Sequence, residues 1–107
     1  MDNLISEISS FIQERDWEKF HNGKDVAIAL SIEANELLES FLWKSTEEVN
    51  TEKIKEELAD VFIYALDMAR IYNLDVYQII QNKINLNSIK YPINDVKGKN
   101  IKYTELL

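Results

Sequence analysis

The apolar residues of this chain recur at the three- and four-residue spacing of a helix. This pattern predicts a first helix from about Asp2, as its N-cap, to Arg15. A second helix is predicted from about Asp25 to Trp43, and Asn22-Gly23 breaks the chain between the two. Both helices carry a broad apolar face, which indicates that they pack against other elements.

The third predicted helix, over about residues 52–72, has more apolar surface than one face can hold. Residues 61–66 are six apolar or aromatic residues in a row. Such a helix has to be covered on several sides. A chain of 107 residues has few other helices to cover it, so we expect a homo-oligomer, either a dimer or a tetramer built from two dimers.

A fourth helix is predicted to begin after Asp75, with Gln78 completing a capping-box pattern. It should end near Lys90, because Pro92 disfavours helix in the residue before it. The tail over 93–107 has no clear pattern. With only two glycines and one proline, the chain has little material for the turns of a β fold. We therefore predict an all-α, four-helix bundle that forms one domain over residues 1–107.

Composition narrows the class of protein. The net charge of -7 disfavours nucleic acid as a partner, because such binding depends on phosphate neutralisation. The absence of cysteine excludes thiolate metal sites and a cysteine nucleophile. No apolar run approaches a membrane span, and the first residues do not resemble a signal peptide. We expect a soluble, cytoplasmic protein without a membrane partner.

Four acidic residues are candidates for a metal site. Glu33 and Glu36 lie three apart in the second helix, and Glu57 and Asp60 repeat that spacing in the third. If the two helices pair antiparallel, the four carboxylates converge. Buried carboxylates need a cation, and no basic residue is interleaved on those turns. Ligands that offer only oxygen favour Mg²⁺, with Mn²⁺ as the alternative.

Acid pairs at this spacing are also common on solvated helix faces. Placement favours metal, because Glu33 and Asp60 stand in the most apolar stretches of their helices. A di-iron carboxylate site would need Glu-x-x-His pairs. The only histidine, His21, lies outside both acidic helices, so that kind of site is excluded.

The ordered combination of motifs resembles the MazG-like, all-α nucleoside triphosphate pyrophosphatases, and most closely their dCTP pyrophosphatase-like branch. The signature of that superfamily is E-x-x-E on one helix and E-x-x-D on the next. This chain has E-A-N-E at 33–36 and E-L-A-D at 57–60. Supporting segments are D-W-E-K-F-H at 16–21, D-V-F-I-Y at 60–64, and K-I-N-L-N at 83–87 followed by K-Y-P.

The resemblance implies Mg²⁺-dependent hydrolysis of a nucleoside triphosphate, possibly dCTP or a related deoxynucleotide, to the monophosphate and pyrophosphate. This would be a house-cleaning role in the nucleotide pool. Glu36 is then the candidate for assisting the attacking water, and Glu39 is its competitor.

The resemblance also implies residues that bind substrate. Helical spacing places Lys83, Asn87 and Lys90 on one face of the fourth helix, where they would contact phosphate. The candidates for the base pocket are aromatic or histidine side chains, namely Trp17, His21, Trp43 and Tyr64. The alternative to an enzyme is a non-catalytic acidic helical module that binds other proteins. Release of pyrophosphate only with added Mg²⁺ distinguishes the two.

Overall fold

Every regular element in the computed structural model, which describes residues 2–100 and Thr104, is a helix. The five α-helices within those residues are α1 (Asp2–Glu14), α2 (Gly23–Glu39), α3 (Thr51–Ile71), α4 (Val76–Lys90) and α5 (Ile93–Val96). Short 3₁₀ helices occupy Glu18–Phe20 and Thr46–Glu48. The all-α prediction is confirmed. The predicted count of four was too low, because α5 is too short to leave a periodic pattern in the sequence.

Side-chain caps by Asn22, Asn50 and Asp75 set where α2, α3 and α4 begin. The Asp75 carboxylate accepts from the backbone N–H of Gln78 at 3.0 Å, which confirms the predicted cap of α4. The amide side chain of Gln78 donates to Asn82 instead of returning to the cap, so the second half of the capping box is absent. Asn22 accepts from the N–H of Asp25 at 2.9 Å, and α2 therefore begins at Gly23, earlier than predicted.

The predicted end of α2 was wrong. The helix ends at Glu39 rather than Trp43, since the N–H groups of Phe41 and Leu42 donate to carbonyls only three residues back. These tighter turns lead to Trp43, whose φ of 64° lies in the left-handed region. A helix cannot continue through that conformation, and a tryptophan adopts it at a cost in free energy.

Gly23, the first residue of α2, lies against Tyr72, which follows the end of α3. A Cβ atom on Gly23 would lie 2.0 Å from the hydroxyl oxygen of Tyr72. The tyrosine therefore occupies the space that any other side chain at position 23 would need.

The chain forms two compact units, Met1–Leu74 and Asp75–Leu107. In the first unit α3 packs against both α1 and α2. The pairing of α2 with α3 is antiparallel, which is the condition under which the sequence predicts that the acids converge. His21, just before α2, contacts Asp67 late in α3, whereas Glu36 near the end of α2 lies beside Glu57 early in α3. A single domain over residues 1–107 stays a prediction.

The core of the described chain is small. Its buried apolar side chains are Ile12, Val26, Leu66 and Ala69. Large apolar side chains on α2 and α3 remain exposed, including Ile28, Ile32, Leu38, Leu58, Phe62 and Ile63. One chain thus covers only part of α3, which the sequence predicted to need cover on several sides. No helix in the described residues is long and apolar enough to cross a membrane.

Candidate metal and nucleotide site

Three of the four predicted carboxylates meet between α2 and α3. Ligand oxygens of Glu33, Glu36 and Glu57 all lie within 4.8 Å of one another. The i, i+3 spacing puts Glu33 and Glu36 on the same side of α2, and the antiparallel pairing brings Glu57 of α3 against them. Glu57 is the most enclosed of the three, with 6% of its surface exposed.

Asp60 lies at the edge of this carboxylate cluster. Its side chain is exposed, although its charge still acts on Glu33. The expectation that its apolar neighbours would bury it was wrong, since Leu58 and Phe62 are exposed as well. Asp60 is one turn of α3 from Glu57, so both carboxylates border the same side of the helix.

The carboxylates are electrostatically strained in the absence of a cation. Burial, followed by a hydrogen bond and repulsion from Glu36, raises the pKa of Glu33 from 4.5 to about 7. Repulsion from Asp60 and Glu57 adds to the shift. Clustered negative charge favours the protonated form of one member of such a group.

Two oxygens in the cluster indicate what is needed to complete it. Glu33 Oε2 and Glu57 Oε2 are buried and have no hydrogen-bond partner among the described residues. Leaving a buried carboxylate oxygen unpaired is costly. A divalent cation would satisfy both atoms, and a donor set made only of oxygen suits Mg²⁺ or Mn²⁺. The residues present therefore fit a hard divalent metal ion.

A lysine that the sequence analysis passed over approaches the cluster from α3. Lys53 Nζ lies 2.8 Å from Glu57 Oε1, and this contact raises the pKa of Lys53. No basic residue lies within positions 33–36 or 57–60, but Lys53 reaches Glu57 from the preceding turn of α3. The i, i+4 spacing was visible in the sequence.

A cleft of about 480 Å³ opens beside the carboxylates. Both candidates for assisting the attacking water, Glu36 and Glu39, line it. The remaining lining residues are Ser40, Lys44, Asn50, Lys53 and Glu57. Glu39 is exposed and accepts from the Asn35 amide at 3.3 Å, whereas Glu36 belongs to the carboxylate cluster.

His21 and Tyr64 lie against each other, and the charge of Glu33 acts on Tyr64. Their rings stack with centroids 6.3 Å apart and an angle of 15° between their planes. Burial, with the nearby charge of Glu33 as the next cause, raises the pKa of the Tyr64 hydroxyl. His21 Nδ1 lies 2.6 Å from Asp67 Oδ2, and Asp67 Oδ1 accepts from Arg70 Nε at 2.7 Å. Asp67 and Arg70 were not among the residues predicted from the sequence.

The two candidate tryptophans lie beyond opposite ends of α2. Trp17 precedes the helix and packs edge-on against Phe11, with centroids 5.9 Å apart. Trp43 follows the helix and is 99% exposed. The 17 residues of α2 span about 25 Å at the usual rise per residue. Within one chain, His21 and Trp43 therefore do not line the same pocket.

The three predicted phosphate-binding residues lie on α4, in the second unit. Lys83 and Asn87 are exposed, and Lys90 is half-buried at the end of the helix. Their spacing places them on one face of α4, as predicted.

Comparison with known proteins identifies the family. The MazG-like family matches residues 28–106. The chain is similar to dCTP pyrophosphatase 1 of Mus musculus, with 36% identity over 106 residues that cover 92% of this chain and 62% of the mouse protein. The Homo sapiens protein of that name is 34% identical over the same length, again with 92% and 62% coverage. This chain thus spans less than two thirds of the length of these curated relatives.

A solved structure is similar throughout most of its length. The crystal structure of a pyrophosphatase from Archaeoglobus fulgidus DSM 4304 has a TM-score of 0.80 and 33% identity. The match covers 86% of this chain and 92% of the archaeal one. Together with the carboxylate cluster at positions 33–36 and 57–60, these comparisons lead to one conclusion: this chain belongs to the MazG-like family.

Proposed function

We propose that this protein is a metal-dependent nucleoside triphosphate pyrophosphohydrolase that converts its substrate to the monophosphate and pyrophosphate. The observation that carries the proposal is the cluster of Glu33, Glu36 and Glu57, with its two unpartnered buried oxygens, in a MazG-like chain. Similarity to proteins named pyrophosphatases supports the type of reaction.

In this proposal Glu33, Glu36, Glu57 and Asp60 hold Mg²⁺, which Mn²⁺ can replace. A bound divalent ion supplies neutralisation of phosphate charge and a more acidic water. Glu36 orients the water that attacks the α-phosphorus and accepts its proton, because Glu36 belongs to the cluster and also lines the cleft. The exposed position of Glu39 makes it the weaker candidate.

The first substrate to test is dCTP, the nucleotide in the names of the curated relatives. Stacking on Trp17 and Trp43, with contacts from His21 and Tyr64, would hold the base. Lys83, Asn87 and Lys90 would donate to phosphate oxygens. A cytoplasmic location and a house-cleaning role in the nucleotide pool are part of the same proposal.

We also propose that the working unit is a homo-oligomer, with a dimer as the minimum and a tetramer of two dimers as the larger form. Two observations support this. Large apolar side chains on α2 and α3 are exposed, and Trp43 lies about 25 Å of helix away from His21. A second copy would cover the apolar surface and bring its own Trp43 to complete the base pocket.

The activity is tested with a nucleotide panel in which pyrophosphate and monophosphate are both quantified, with Mg²⁺ and with a chelator. We expect Mg²⁺-dependent release of pyrophosphate, fastest with dCTP. Asp60→Asn should reduce turnover by orders of magnitude, whereas Glu56→Gln, an exposed acid on the same helix, should not. If no nucleotide gives pyrophosphate, the protein is better described as a helical interaction module.

The assembly is tested by light scattering on the active sample at micromolar concentration. We expect at least twice the chain mass of 12.5 kDa, and activity that falls on dilution. A monomeric mass in a fully active sample would contradict the shared pocket.

A further inference from the structure

Asp67 is a buried charged residue that the proposed reaction does not use. Only 1% of its surface is exposed, and both of its carboxylate oxygens have hydrogen-bond partners. Oδ2 lies 2.6 Å from His21 Nδ1, and Oδ1 accepts from Arg70 Nε at 2.7 Å. A fully buried carboxylate is retained only where such partners satisfy it.

The His21 ring is held on two sides. Asp67 fixes one edge through Nδ1, and Tyr64 stacks on one face. The backbone is anchored as well, because the N–H of His21 donates to the Glu18 carbonyl at 3.1 Å. Nε2 is on the opposite side of the ring from Nδ1, and within the described residues the His21 side chain forms a hydrogen bond through Nδ1 alone.

We infer that Asp67 is a positioning residue: it keeps a proton on Nδ1 of His21 and thereby aims Nε2 at the nucleotide base. A hydrogen bond at one ring nitrogen determines the tautomer and the orientation of the other. Arg70 neutralises the carboxylate and leaves Oδ2 for the histidine. The inference rests on the proposed function, in which His21 lines the base pocket.

The tautomer can be read directly, because His21 is the only histidine in the chain. In protein labelled with ¹⁵N-histidine, NMR reports only this ring. We expect the proton on Nδ1 in the wild type. In Asp67→Asn the amide oxygen should face Arg70, which can only donate, so the NH₂ group faces His21 and donates to Nδ1. The proton should then move to Nε2.

Kinetics separate positioning from a purely structural role. Asp67→Asn should raise the KM for the nucleotide about five- to tenfold, the equivalent of one hydrogen bond, while Mg²⁺ affinity stays unchanged. The matched control is Arg70→Gln, which breaks the same buried pair but leaves the partner of His21 in place. This control should lower stability, retain the proton on Nδ1 and leave KM close to the wild-type value.

Three results would overturn the inference: a wild-type ring protonated on Nε2, an unchanged tautomer in Asp67→Asn, or equal KM increases in the two variants. Failure of the proposed function looks different, because the wild type would then release no pyrophosphate from any nucleotide. The NMR measurement needs no substrate, so it tests in either case whether Asp67 sets the tautomer of His21.

Discussion

Replacing Glu57 with glutamine should have opposite effects on stability with and without metal. The substitution keeps the size of the side chain and removes one of three clustered charges. At the 4.8 Å limit of the cluster, two unit charges repel by about 3.5 kcal/mol at an effective dielectric constant of about 20. Water in the cleft screens this repulsion. We therefore expect the loss of one charge to raise the free energy of unfolding of the metal-free protein by about 1–2 kcal/mol. Loss of the contact with Lys53 offsets little, because the lysine side chain is 53% exposed.

With Mg²⁺ present, the wild type should be more stable than Glu57→Gln. A ligand at about 100 times its Kd stabilises the native state by about 2.7 kcal/mol. The wild type should gain this increment, and Glu57→Gln should gain almost none. The assay is chemical denaturation in chelator and in Mg²⁺, with Glu56→Gln as the control that keeps the cluster intact. The reasoning is refuted if Glu57→Gln is less stable than the wild type in chelator and still responds fully to Mg²⁺.

Four further outcomes are expected. Burial raises the pKa of Glu33 to about 7, so below pH 7 a metal ion has to displace a proton from this residue. The affinity for Mg²⁺ should therefore fall by up to about tenfold per pH unit below 7. Calorimetry in two buffers of different ionisation enthalpy should detect the released proton. In the metal-free protein the same raised pKa makes the stability that Glu33 contributes fully present below pH 4.5 and lost as the pH rises through 7. A free energy of unfolding that increases between pH 4.5 and 7 would contradict this expectation. Trp43→Ala should leave the stability of one chain unchanged, because the ring is 99% exposed, yet raise KM about ten- to a hundredfold through lost base stacking; an unaltered KM removes Trp43 from the pocket. Gly23→Ala should destabilise by at most about 1 kcal/mol, because its Cβ forces the hydroxyl end of the exposed Tyr72 ring to move; in the Tyr72→Ala background the same substitution should have almost no effect in a thermal melt.

Much of the fold could be predicted because each long helix carries its own periodic signal. The cap at Asp75 followed from local pattern. The convergence of the paired acids was predicted only on the condition that α2 and α3 pair antiparallel, and the structure meets that condition. The end of α2 could not be predicted in this way, since residues 41–43 are apolar enough to continue a helix. The tighter turns after Glu39 and the left-handed backbone at Trp43 end it, and no local pattern specifies those conformations.

The candidate site could likewise be predicted only in part. Acid spacing identified Glu33, Glu36 and Glu57, but the argument from apolar neighbours was applied to the wrong aspartate. Asp60 is exposed, whereas Asp67, between two apolar residues on the same helix, is buried. An acid in an apolar stretch with Arg70 three residues on was a signal for a buried ion pair. Its partner His21 is 46 positions away, beyond the reach of any local pattern.

The length of α2 has an evolutionary consequence. Glu33 and Glu36 lie within the helix, whereas His21 and Trp43 lie beyond its two ends. In the proposed pocket, substitutions at either tip would therefore alter which base is preferred while the acidic residues keep their positions. A change of one turn in the helix would be different, because it would shift the ends by about 5.4 Å relative to each other. Selection should thus tolerate varied residues at the tips and resist insertions or deletions between them.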